Sequence, residues 1–452
     1  MIKIAIQGAG FVGSAFALSC ANVKKKNQSL FDVSIVEKNG INSNDKITKI
    51  NSGIFPFKMG DKKISNILSK TIGKNLKATS DIKVYENAKV IISCIDFNTL
   101  GNKKDFEKNI NQYKEKISEI ALNMQPSSLL IVQTTLPPGT CEKYIIPMIK
   151  KIFKQRGIKK KDILFCHSFE RVMPGKGYID SIRNNWRVYA GANKKSNSQA
   201  KDFFKKLINV KKYPLTEFDR PIYSEIAKIL ENSYRALNIS FLNDWGNFAE
   251  KIKVNLFEVI KSIKLRPTHS NIMFPGFGVG GHCLTKDPLF ANISSKRIFK
   301  LKDQKFNLIK NSVEINKQMP LNTFKLIKSN FKKNSSKKIL IMGVSYKEDI
   351  DDTRNSPTAI LFNKLKNYFK FIDFCDPLVE RWEELDLKVK NTIPNLNNYD
   401  ILILVNKNYK NLNFVKLLKK RKITIFDTND ILNSKIAKRL SKKEIKVFSI
   451  GK

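Results

Sequence analysis

A short glycine-rich run near the start of the chain restricts the fold more than any other feature of the sequence. The run Gly8-Ala9-Gly10-Phe11-Val12-Gly13 follows an apolar stretch at 3–7 and opens a helical one, which is the context of a G-x-G-x-x-G turn. In such a turn Gly8 makes the tight bend, Gly10 lets a pyrophosphate approach the backbone, and Gly13 lets helix and strand pack closely. The run predicts a parallel α/β domain that binds a dinucleotide; a glycine turn of purely structural use is the alternative.

An acidic side chain indicates which dinucleotide is bound. The second predicted strand, 32–37, ends in Glu37, which is placed to accept hydrogen bonds from both hydroxyls of an adenosine ribose and to repel a 2′-phosphate. We therefore expect NAD rather than NADP. The cofactor-binding residues predicted from this turn and strand are Gly8, Gly10, Phe11, Val12, Gly13 and Glu37.

Runs of β-branched residues alternate with helical stretches in the two end regions of the chain. The strands are predicted at 3–7, 32–37, 90–94, 129–133 and 163–167, and again at 338–342, 371–374, 401–405 and 423–427. Because strands separated by helices pair in parallel through right-handed crossovers, each region predicts a doubly wound sheet. Apolar residues spaced three and four apart over 221–253 predict a long helix, and a second helix is predicted at 256–263.

The predicted fold class is therefore α/β, with two Rossmann-like doubly wound domains joined by a long central helix and a small helical domain. The predicted domain boundaries are 1–212, 213–318 and 319–452. The long helix keeps an apolar face that one neighbour cannot cover, which predicts a homodimer through that helix.

Composition sets limits on partners and compartment. The 452 residues carry a formal charge of +43, which would attract nucleic acid, an anionic membrane surface or a phosphorylated substrate. The lysines are scattered along the chain, and the sequence has no basic arm with interleaved aromatic residues. We therefore expect a solvated basic surface and no nucleic-acid partner.

With no signal peptide and no run of about 18 apolar residues, we expect a soluble, cytoplasmic protein without a membrane partner. Six cysteines without C-x-x-C spacing and three histidines predict reduced thiols and no metal site.

One cysteine lies in a glycine-rich loop suited to surrounding a ligand. Cys283 follows Gly280-Gly281-His282, and Asp287 lies four residues later. Glycines let the backbone approach a ligand closely, and a thiol near cations or a helix N-terminus becomes a useful nucleophile. Taken alone, a packed small thiol is the better interpretation.

Polar residues elsewhere in the chain favour the chemical interpretation of that thiol. Glu225, Lys228 and Asn232 are spaced three and four apart, which places them on one stripe of the long helix. Alone, this spacing is more typical of a surface Glu–Lys ion pair. A later strand is followed by Tyr346-Lys347 and Asp351-Asp352-Thr353-Arg354, at the sheet edge where ligands bind. These residues suit either a cation or a diphosphate.

In this order the motifs resemble the UDP-glucose/GDP-mannose dehydrogenase family of nucleotide-sugar dehydrogenases. The resemblance covers essentially the whole chain and includes Thr-Thr-Leu-Pro-Pro-Gly-Thr at 134–140 and Glu-Arg-Val-Met-Pro-Gly at 170–175. It implies NAD binding by 1–212, a dimerisation helix in 213–318 and UDP-sugar binding by 319–452. It also implies a four-electron oxidation of the C6 hydroxyl of a UDP-sugar to the uronic acid, with two NAD molecules used in turn and no metal.

The resemblance also assigns roles to individual residues. The thiol would form a thiohemiacetal with the sugar aldehyde and then a thioester, which water cleaves. The implied catalytic residues are the nucleophile Cys283, the oxyanion-stabilising Lys228 and Asn232, the water-holding Asp287 and Thr135, of which Thr135 also binds the cofactor, and the general base Glu170. The implied substrate-binding residues are Glu170, Arg171, Val172, Lys228, Asn232, Arg266, His269, Phe274, Gly276, Gly280, Tyr346, Lys347 and Arg354.

Several positions depart from the family pattern and bear on which sugar is used. Pro174 stands where the UDP-glucose branch commonly has a second glutamate, and the motif at 170–175 is similar to the branch that oxidises UDP-N-acetylhexosamines. Phe169 replaces a proline, and His269 and Asn429 each take the place of an arginine. We therefore favour UDP-N-acetylglucosamine or UDP-N-acetylmannosamine, with UDP-glucose as the alternative. More distant alternatives are a two-electron NAD dehydrogenase of the hydroxyacid type and a basic polyanion-binding protein.

Overall fold

The computed structural model describes residues 1–99, 103–158, 163–301, 303–333, 335–419 and 422–452. The chain forms two compact units, one made of Met1–Glu231 with Leu289–Lys305 and the other of Asn232–Pro288 with Phe306–Lys452. Among the described residues, no helix combines the length and the apolar character needed to cross a bilayer.

The first unit is built on an eight-stranded sheet. The strands of this unit, including a small hairpin of two short strands, are β1 (Ile2–Gln7), β2 (Lys24–Lys25), β3 (Gln28–Ser29), β4 (Phe31–Val36), β5 (Leu76–Thr79), β6 (Val90–Ser93), β7 (Leu129–Val132), β8 (Leu164–His167), β9 (Arg187–Gly191) and β10 (Leu215–Phe218). The spatial order is β10-β9-β8-β7-β6-β1-β4-β5. The order of connection reverses at β1, which pairs with β4 on one side and β6 on the other. Ligands of open α/β sheets bind at such a reversal, outside the carboxyl ends of the strands.

Helices cover both faces of this sheet. The helices of the chain are α1 (Phe11–Ala21), α2 (Ile41–Asn51), α3 (Lys63–Thr71), α4 (Val84–Asn87), α5 (Lys103–Asn123), α6 (Ile146–Gln155), α7 (Asp180–Arg183), α8 (Lys194–Leu207), α9 (Pro221–Lys251), α10 (Leu256–Ile263), α11 (Phe290–Ile293), α12 (Asn307–Asn330), α13 (Pro357–Leu365), α14 (Phe414–Leu417) and α15 (Ser434–Ser441). Along β7, Leu129 and Ile131 lie in one apolar core and Leu130 and Val132 in the other. Both faces are therefore buried, as parallel strands require.

The second unit contains a five-stranded sheet in which all neighbouring strands are parallel. Its strands, with the two-residue strands of a second small hairpin, are β11 (Ser335–Met342), β12 (Phe369–Cys375), β13 (Arg381–Trp382), β14 (Leu387–Lys388), β15 (Ile401–Leu404), β16 (Thr424–Asp427) and β17 (Lys446–Ser449). The order is β12-β11-β15-β16-β17, so the connection reverses beside β11. This gives the second sheet its own ligand-binding edge.

The α/β fold class and the long helix are confirmed, and the predicted strands of the first unit pair in parallel. The same sheet also contains one antiparallel pair, formed by a strand that the sequence did not predict. Cys166 pairs with Gly191 and His167 with Ala190 in an antiparallel register, so β9 runs against β8. A parallel return requires a crossover, usually through an α-helix, and the segment between these strands holds only the four-residue α7. The strands β5, β9, β10 and β17 carry no sequence prediction.

Helix α12 also differs from the sequence expectation. It runs from Asn307 to Asn330 with Pro320 inside it, so the boundary placed between 318 and 319 falls within a helix. Proline removes one helical hydrogen bond, but Met319 and Pro320 are both buried, and their packing holds the helix together. The three-domain division remains a prediction.

Candidate active site

The glycine turn between β1 and α1 has the geometry that a pyrophosphate needs. Gly8 has a φ of +99°, and a Cβ added to Gly13 would lie 1.9 Å from the carbonyl oxygen of Gly8. A Cβ on Gly10 would meet no atom within 4 Å, so this position faces open space. The first and third glycines are therefore required by the turn itself, and the second leaves room for a ligand at the helix N-terminus.

The side chains around this turn also suit a dinucleotide. Glu37 follows β4, and its Oε2 accepts a hydrogen bond from the backbone N–H of Ala9 at 2.7 Å. The acid therefore lies against the turn, where an adenosine ribose would be held. The ring of Phe11 stacks on Phe57 with centroids 4.2 Å apart, and Val12 packs against the core of the first unit.

Helix α9 joins the other site residues of the first unit. Lys228 is 7% exposed, and its Nζ donates to the carbonyl oxygen of Glu170 at 2.8 Å. The buried ring of Phe169 lies beneath two cations, with its centroid 5.5 Å from Lys228 Nζ and 4.8 Å from the guanidinium carbon of Arg171. In the sequence Phe169 was only a departure from the family pattern. In the structure its ring contacts Lys228 and Arg171, the two cations beside Glu170.

The prediction of a surface ion pair between Glu225 and Lys228, made from the helix spacing alone, is wrong. Glu225 is fully buried and accepts hydrogen bonds from the N–H groups of Gly139 and Cys141. Burial raises the pKa of Glu225 to about 8, while the donors of Cys141 and Gly139 oppose that rise. Glu225 is therefore held by backbone groups of a turn in the first unit rather than by solvent.

The remaining residues of this loop are held locally. The carboxylate of Glu170 accepts a hydrogen bond from the N–H of Val172, and Arg171 pairs with Glu231 of α9. Thr135 is half-buried in the segment after β7. Glu170, Arg171, Val172, Lys228 and Thr135 all belong to the first unit.

In the second unit, the predicted nucleophile lies beside a polar network. The Cys283 side chain is exposed. The backbone carbonyl oxygen of Cys283 accepts a hydrogen bond from the backbone N–H of Asp287 at 2.9 Å. The Asp287 carboxylate, 1% exposed, accepts from Asn232 Nδ2 at 2.8 Å and pairs with Lys286 Nζ at 2.9 Å. The predicted Cys283, Asp287 and Asn232 are thus connected, and Lys286 is a member of the network that the sequence analysis missed. Its position directly before Asp287 was the available signal.

The glycine loop before the thiol packs on the segment after β11. A Cβ on Gly280 would lie 2.6 Å from Tyr346 Cβ, and the N–H of Gly281 donates to the carbonyl oxygen of Arg354 at 3.0 Å. Burial raises the pKa of the Tyr346 hydroxyl, with Asp352 adding to the rise. Tyr346 therefore stays protonated at neutral pH and can donate a hydrogen bond.

A cavity of about 200 Å³ lies at the edge where the strand order of the second sheet reverses. Its lining includes Tyr346, Lys347, Asn406 and Lys407, which follow β11 and β15. Arg354 donates to both oxygens of Asp352, at 2.9 and 2.6 Å. The cavity lining carries the cations Lys347 and Lys407 against the acid Glu348, so the cavity suits an anion better than a cation.

Phe274, Arg266 and His269 are further predicted substrate residues, and all three belong to the second unit. Phe274 stacks on Phe257 with centroids 5.5 Å apart. Arg266 and His269 are exposed around the short 3₁₀ turn Pro267–His269, and the His269 N–H donates to the Arg266 carbonyl oxygen at 2.9 Å. These local bonds do not join either side chain to the thiol loop.

Asn429 has a defined role in the position where family members carry an arginine. Its Oδ1 accepts from the N–H of Phe277 at 3.1 Å, and its Nδ2 donates to the Val405 carbonyl oxygen. A Cβ on Gly276 would lie 2.6 Å from that Oδ1. The amide therefore ties the glycine loop to the end of β15.

The first unit carries a dinucleotide-binding turn, and the second carries an exposed thiol and a second doubly wound sheet. These features together are typical of an oxidoreductase. Three profiles of one family match the chain: the NAD binding domain at residues 2–208, the central domain at 223–318 and the UDP binding domain at 340–434. The chain belongs to the UDP-glucose/GDP-mannose dehydrogenase family. It is an NAD-dependent nucleotide-sugar dehydrogenase whose substrate is a UDP-sugar, which confirms the predicted family, enzyme class and cofactor.

Individual relatives agree with this assignment. The chain is 30% identical to a UDP-N-acetyl-D-mannosamine dehydrogenase of Methanocaldococcus jannaschii, with 99% of this chain and 96% of the relative covered. It is also 30% identical to the enzyme of that name from Pyrococcus horikoshii, with 84% of each chain covered. The solved structure of the P. horikoshii UDP-D-ManNAc dehydrogenase has a TM-score of 0.79 at 24% identity, covering 100% of this chain and 99% of the other. A UDP-glucose dehydrogenase from Pyrobaculum islandicum has a TM-score of 0.80 at 17% identity, with 99% and 97% covered; these two structures establish the fold alone.

Alanine at two of the glycines should separate the packing role of the turn from its ligand-binding role. Gly13→Ala brings a Cβ onto the Gly8 carbonyl and is expected to lower the free energy of unfolding by about 1–3 kcal/mol, the usual cost of overpacking. Gly10→Ala has room within the protein, so it should melt like the wild type but bind NAD at least about tenfold more weakly. Thermal melts and calorimetric titration with NAD measure the two effects. Wild-type NAD affinity in Gly10→Ala would contradict pyrophosphate binding at this turn.

Proposed function

We propose that this protein oxidises the C6 hydroxyl of UDP-N-acetyl-D-mannosamine to the carboxylate in two NAD-dependent steps, with Cys283 as the nucleophile. The observation that carries the chemistry is the exposed Cys283 thiol at the start of a turn whose Asp287 is bonded to Asn232. A thiol explains how an aldehyde can be oxidised further when the cofactor only removes hydride.

The atoms balance through a covalent intermediate on sulfur. The Gly8–Gly13 turn would hold NAD, which would supply the hydride acceptor for each oxidation. The alcohol first loses a hydride and a proton to become the aldehyde. The Cys283 thiolate adds to the aldehyde carbon, and the resulting alkoxide takes up a proton. This thiohemiacetal loses a hydride and a proton to give a thioester, and water cleaves the C–S bond to release the acid and the thiol.

The other predicted residues are proposed to support these steps. Lys228 and Asn232, one turn apart on α9, would stabilise the oxyanion, because preorganised donors act strongly in a dry site. Asp287 would hold and activate the attacking water together with Thr135, and Glu170 would take up a proton as general base. The burial of Asp287 and Lys228 supports roles that require fixed positions.

The nucleotide is proposed to bind at the second sheet. Tyr346 and Lys347 line the cavity at the strand reversal, and Arg354 remains 43% exposed while paired with Asp352. A protonated tyrosine and two cations suit the oxygen atoms of a diphosphate. Phe274, Gly276, Gly280, Arg266 and His269 remain predicted substrate residues.

The identity of the sugar is supported by the relatives and by one loop position. The M. jannaschii and P. horikoshii relatives carry the name UDP-N-acetyl-D-mannosamine dehydrogenase. Pro174 replaces the second glutamate of the UDP-glucose branch. UDP-N-acetylglucosamine is the second candidate, because the same loop motif accompanies both acetamido sugars. We place the enzyme in the cytoplasm, where a reduced thiol persists.

A homodimer through α9 is proposed from the surface of that helix. Large apolar side chains on α9 stay between 46% and 64% exposed, more than a monomer usually leaves on one element. They are Tyr223, Ile226, Leu230, Tyr234, Phe241, Trp245 and Phe248. The run Phe241–Trp245–Phe248 forms successive edge contacts between rings, 6.5 and 6.0 Å apart, which suits a second copy of the same helix.

A substrate panel with one cysteine variant tests the proposed function. NADH absorbance with UDP-N-acetyl-D-mannosamine, UDP-N-acetylglucosamine and UDP-glucose should give the highest kcat/KM for the first, by at least about tenfold over UDP-glucose.

Cys283→Ala should bind NAD and UDP-N-acetyl-D-mannosamine with unchanged affinity but form no uronic acid, because no thiol remains to hold the aldehyde. Acid formation is measured by chromatography. Cys375→Ala, which removes a buried thiol of β12, is the matched control and should retain activity. Wild-type acid formation in Cys283→Ala, or a preference for UDP-glucose, would contradict the proposal.

The proposed dimer can be tested by placing a charge in the aromatic run. Phe241→Glu should shift the protein from dimer to monomer at micromolar concentration, because the interface would bury an unpaired carboxylate. Analytical ultracentrifugation measures the mass. Leu122→Glu replaces an exposed leucine of α5 and should leave the mass unchanged. An unchanged dimer in Phe241→Glu would place the interface elsewhere.

A further inference from the structure

A carboxylate with no assigned role is buried in the first unit at the start of α9. Glu225 has no exposed surface, and its two oxygens accept hydrogen bonds from the N–H groups of Gly139 at 2.6 Å and Cys141 at 2.8 Å. A buried carboxylate is retained only where donors replace the water it has lost. Here both oxygens are used by one turn of the backbone, so α9 and that turn are fixed to each other.

The turn that Glu225 binds is itself tightly constrained. Gly139 has a φ of +93°, and a Cβ there would lie 2.7 Å from the Phe299 ring. The Thr140 hydroxyl donates to the Pro137 carbonyl oxygen at 2.5 Å. The turn leads into the helical segment that begins at Cys141, and an anion is favoured at such an N-terminus. The carboxylate therefore holds one end of the segment 134–141.

The other end of the 134–141 segment is held by Ser224, the residue of α9 next to Glu225, through His167. Ser224 Oγ lies 2.9 Å from Nδ1 of the buried His167, whose Nε2 lies 3.1 Å from the carbonyl oxygen of Thr134. Burial lowers the pKa of His167 to about 4, so its ring is neutral at neutral pH. The ring then donates to the Thr134 carbonyl through Nε2 and accepts from the Ser224 hydroxyl through Nδ1. Thr135 thus lies between two anchors that come from adjacent residues of one helix.

We propose that Glu225 is a positioning residue, which together with Ser224 and His167 holds the 134–141 segment so that Thr135 is placed for its reaction. The inference rests on the role given to Thr135 in the proposed function. Lys228 lies one turn further along α9 and is bonded to the carbonyl of Glu170. The same rigid helix therefore sets the positions of the Thr135 segment and the Glu170 loop, which explains why a glutamate precedes the lysine by three residues.

Glu225→Gln tests the positioning role with little change in shape. The comparison is made at pH 9, above the pKa of about 8 that burial gives Glu225, so that the wild-type group is a carboxylate. The amide then keeps one acceptor but turns an N–H₂ donor towards the second backbone N–H, so the turn loses an anchor. We expect kcat to fall about 100-fold, the effect of a small misplacement of a catalytic group, while the dissociation constants of NAD and the UDP-sugar stay unchanged. Glu250→Gln is the matched control, because Glu250 lies on the same helix and accepts from the Gly451 N–H at 2.7 Å. It should keep the wild-type kcat.

A double-mutant cycle separates positioning from general structural support. If Glu225 acts through Thr135, adding Glu225→Gln to Thr135→Ala should lower kcat little further, because coupled residues are not additive. An equal fold-loss in both backgrounds would overturn the proposal, as would a wild-type kcat in Glu225→Gln. Should Glu225→Gln fail to fold, Ser224→Ala makes a smaller lesion at the other anchor. It should lower kcat about tenfold with KM unchanged, and a wild-type kcat there would overturn the proposal.

Hydrogen exchange provides a readout that does not depend on the reaction. Peptides spanning 134–141 should exchange slowly in the wild type and in Glu250→Gln, and much faster in Glu225→Gln, because one of the Gly139 and Cys141 amides loses its partner and the turn loses an anchor. Equal exchange in all three proteins would overturn the inference whatever the substrate. A wild-type enzyme that oxidises no UDP-sugar, but shows the predicted difference in exchange, would overturn the proposed function alone.

Discussion

The burial of polar side chains along α9 is the constraint on which the rest of the structure depends. Glu225 and Lys228 are both more than nine-tenths buried, and buried polar groups are tolerated only where hydrogen-bond partners replace water. Those partners are the N–H groups of Gly139 and Cys141 for Glu225, the carbonyl oxygen of Glu170 for Lys228, and the carboxylate of Asp287 for Asn232. Within the first unit, the hydrogen bonds of Glu225 and Lys228 therefore fix the loops that carry Thr135 and Glu170.

The two sheets use the same topological principle for different ligands. In each, the order of connection reverses beside the first strand, β1 or β11, and polar loops follow the carboxyl ends there. In the first sheet a glycine turn leaves open space at Gly10 for a pyrophosphate. In the second, the corresponding edge holds a cavity with Tyr346 and Lys347. The difference lies in loop chemistry, since the backbone frameworks are alike.

The sequence predicted features that depend on local spacing and missed those that depend on distant partners. The glycine turn, the acid Glu37 and the long helix follow from residue type and period, and the structure places them as expected. The antiparallel β9 was not predictable, because strand direction depends on where the chain returns rather than on composition. The helical period placed Glu225 on the correct stripe, but its partners lie more than 80 residues away, so the spacing suggested a surface ion pair. Phe169 likewise appeared as a mere departure, and its contact with two cations emerges only from the fold.

In the proposed mechanism, the Cys283 thiol retains a half-oxidised sugar so that a second pair of electrons can leave. The most direct measurement is the number of NADH molecules formed for each UDP-sugar consumed, with the sugar limiting and NAD in excess. The mechanism predicts a ratio of two, with the uronic acid as the only sugar product and no aldehyde released. A ratio of one, with the aldehyde in solution, would contradict it.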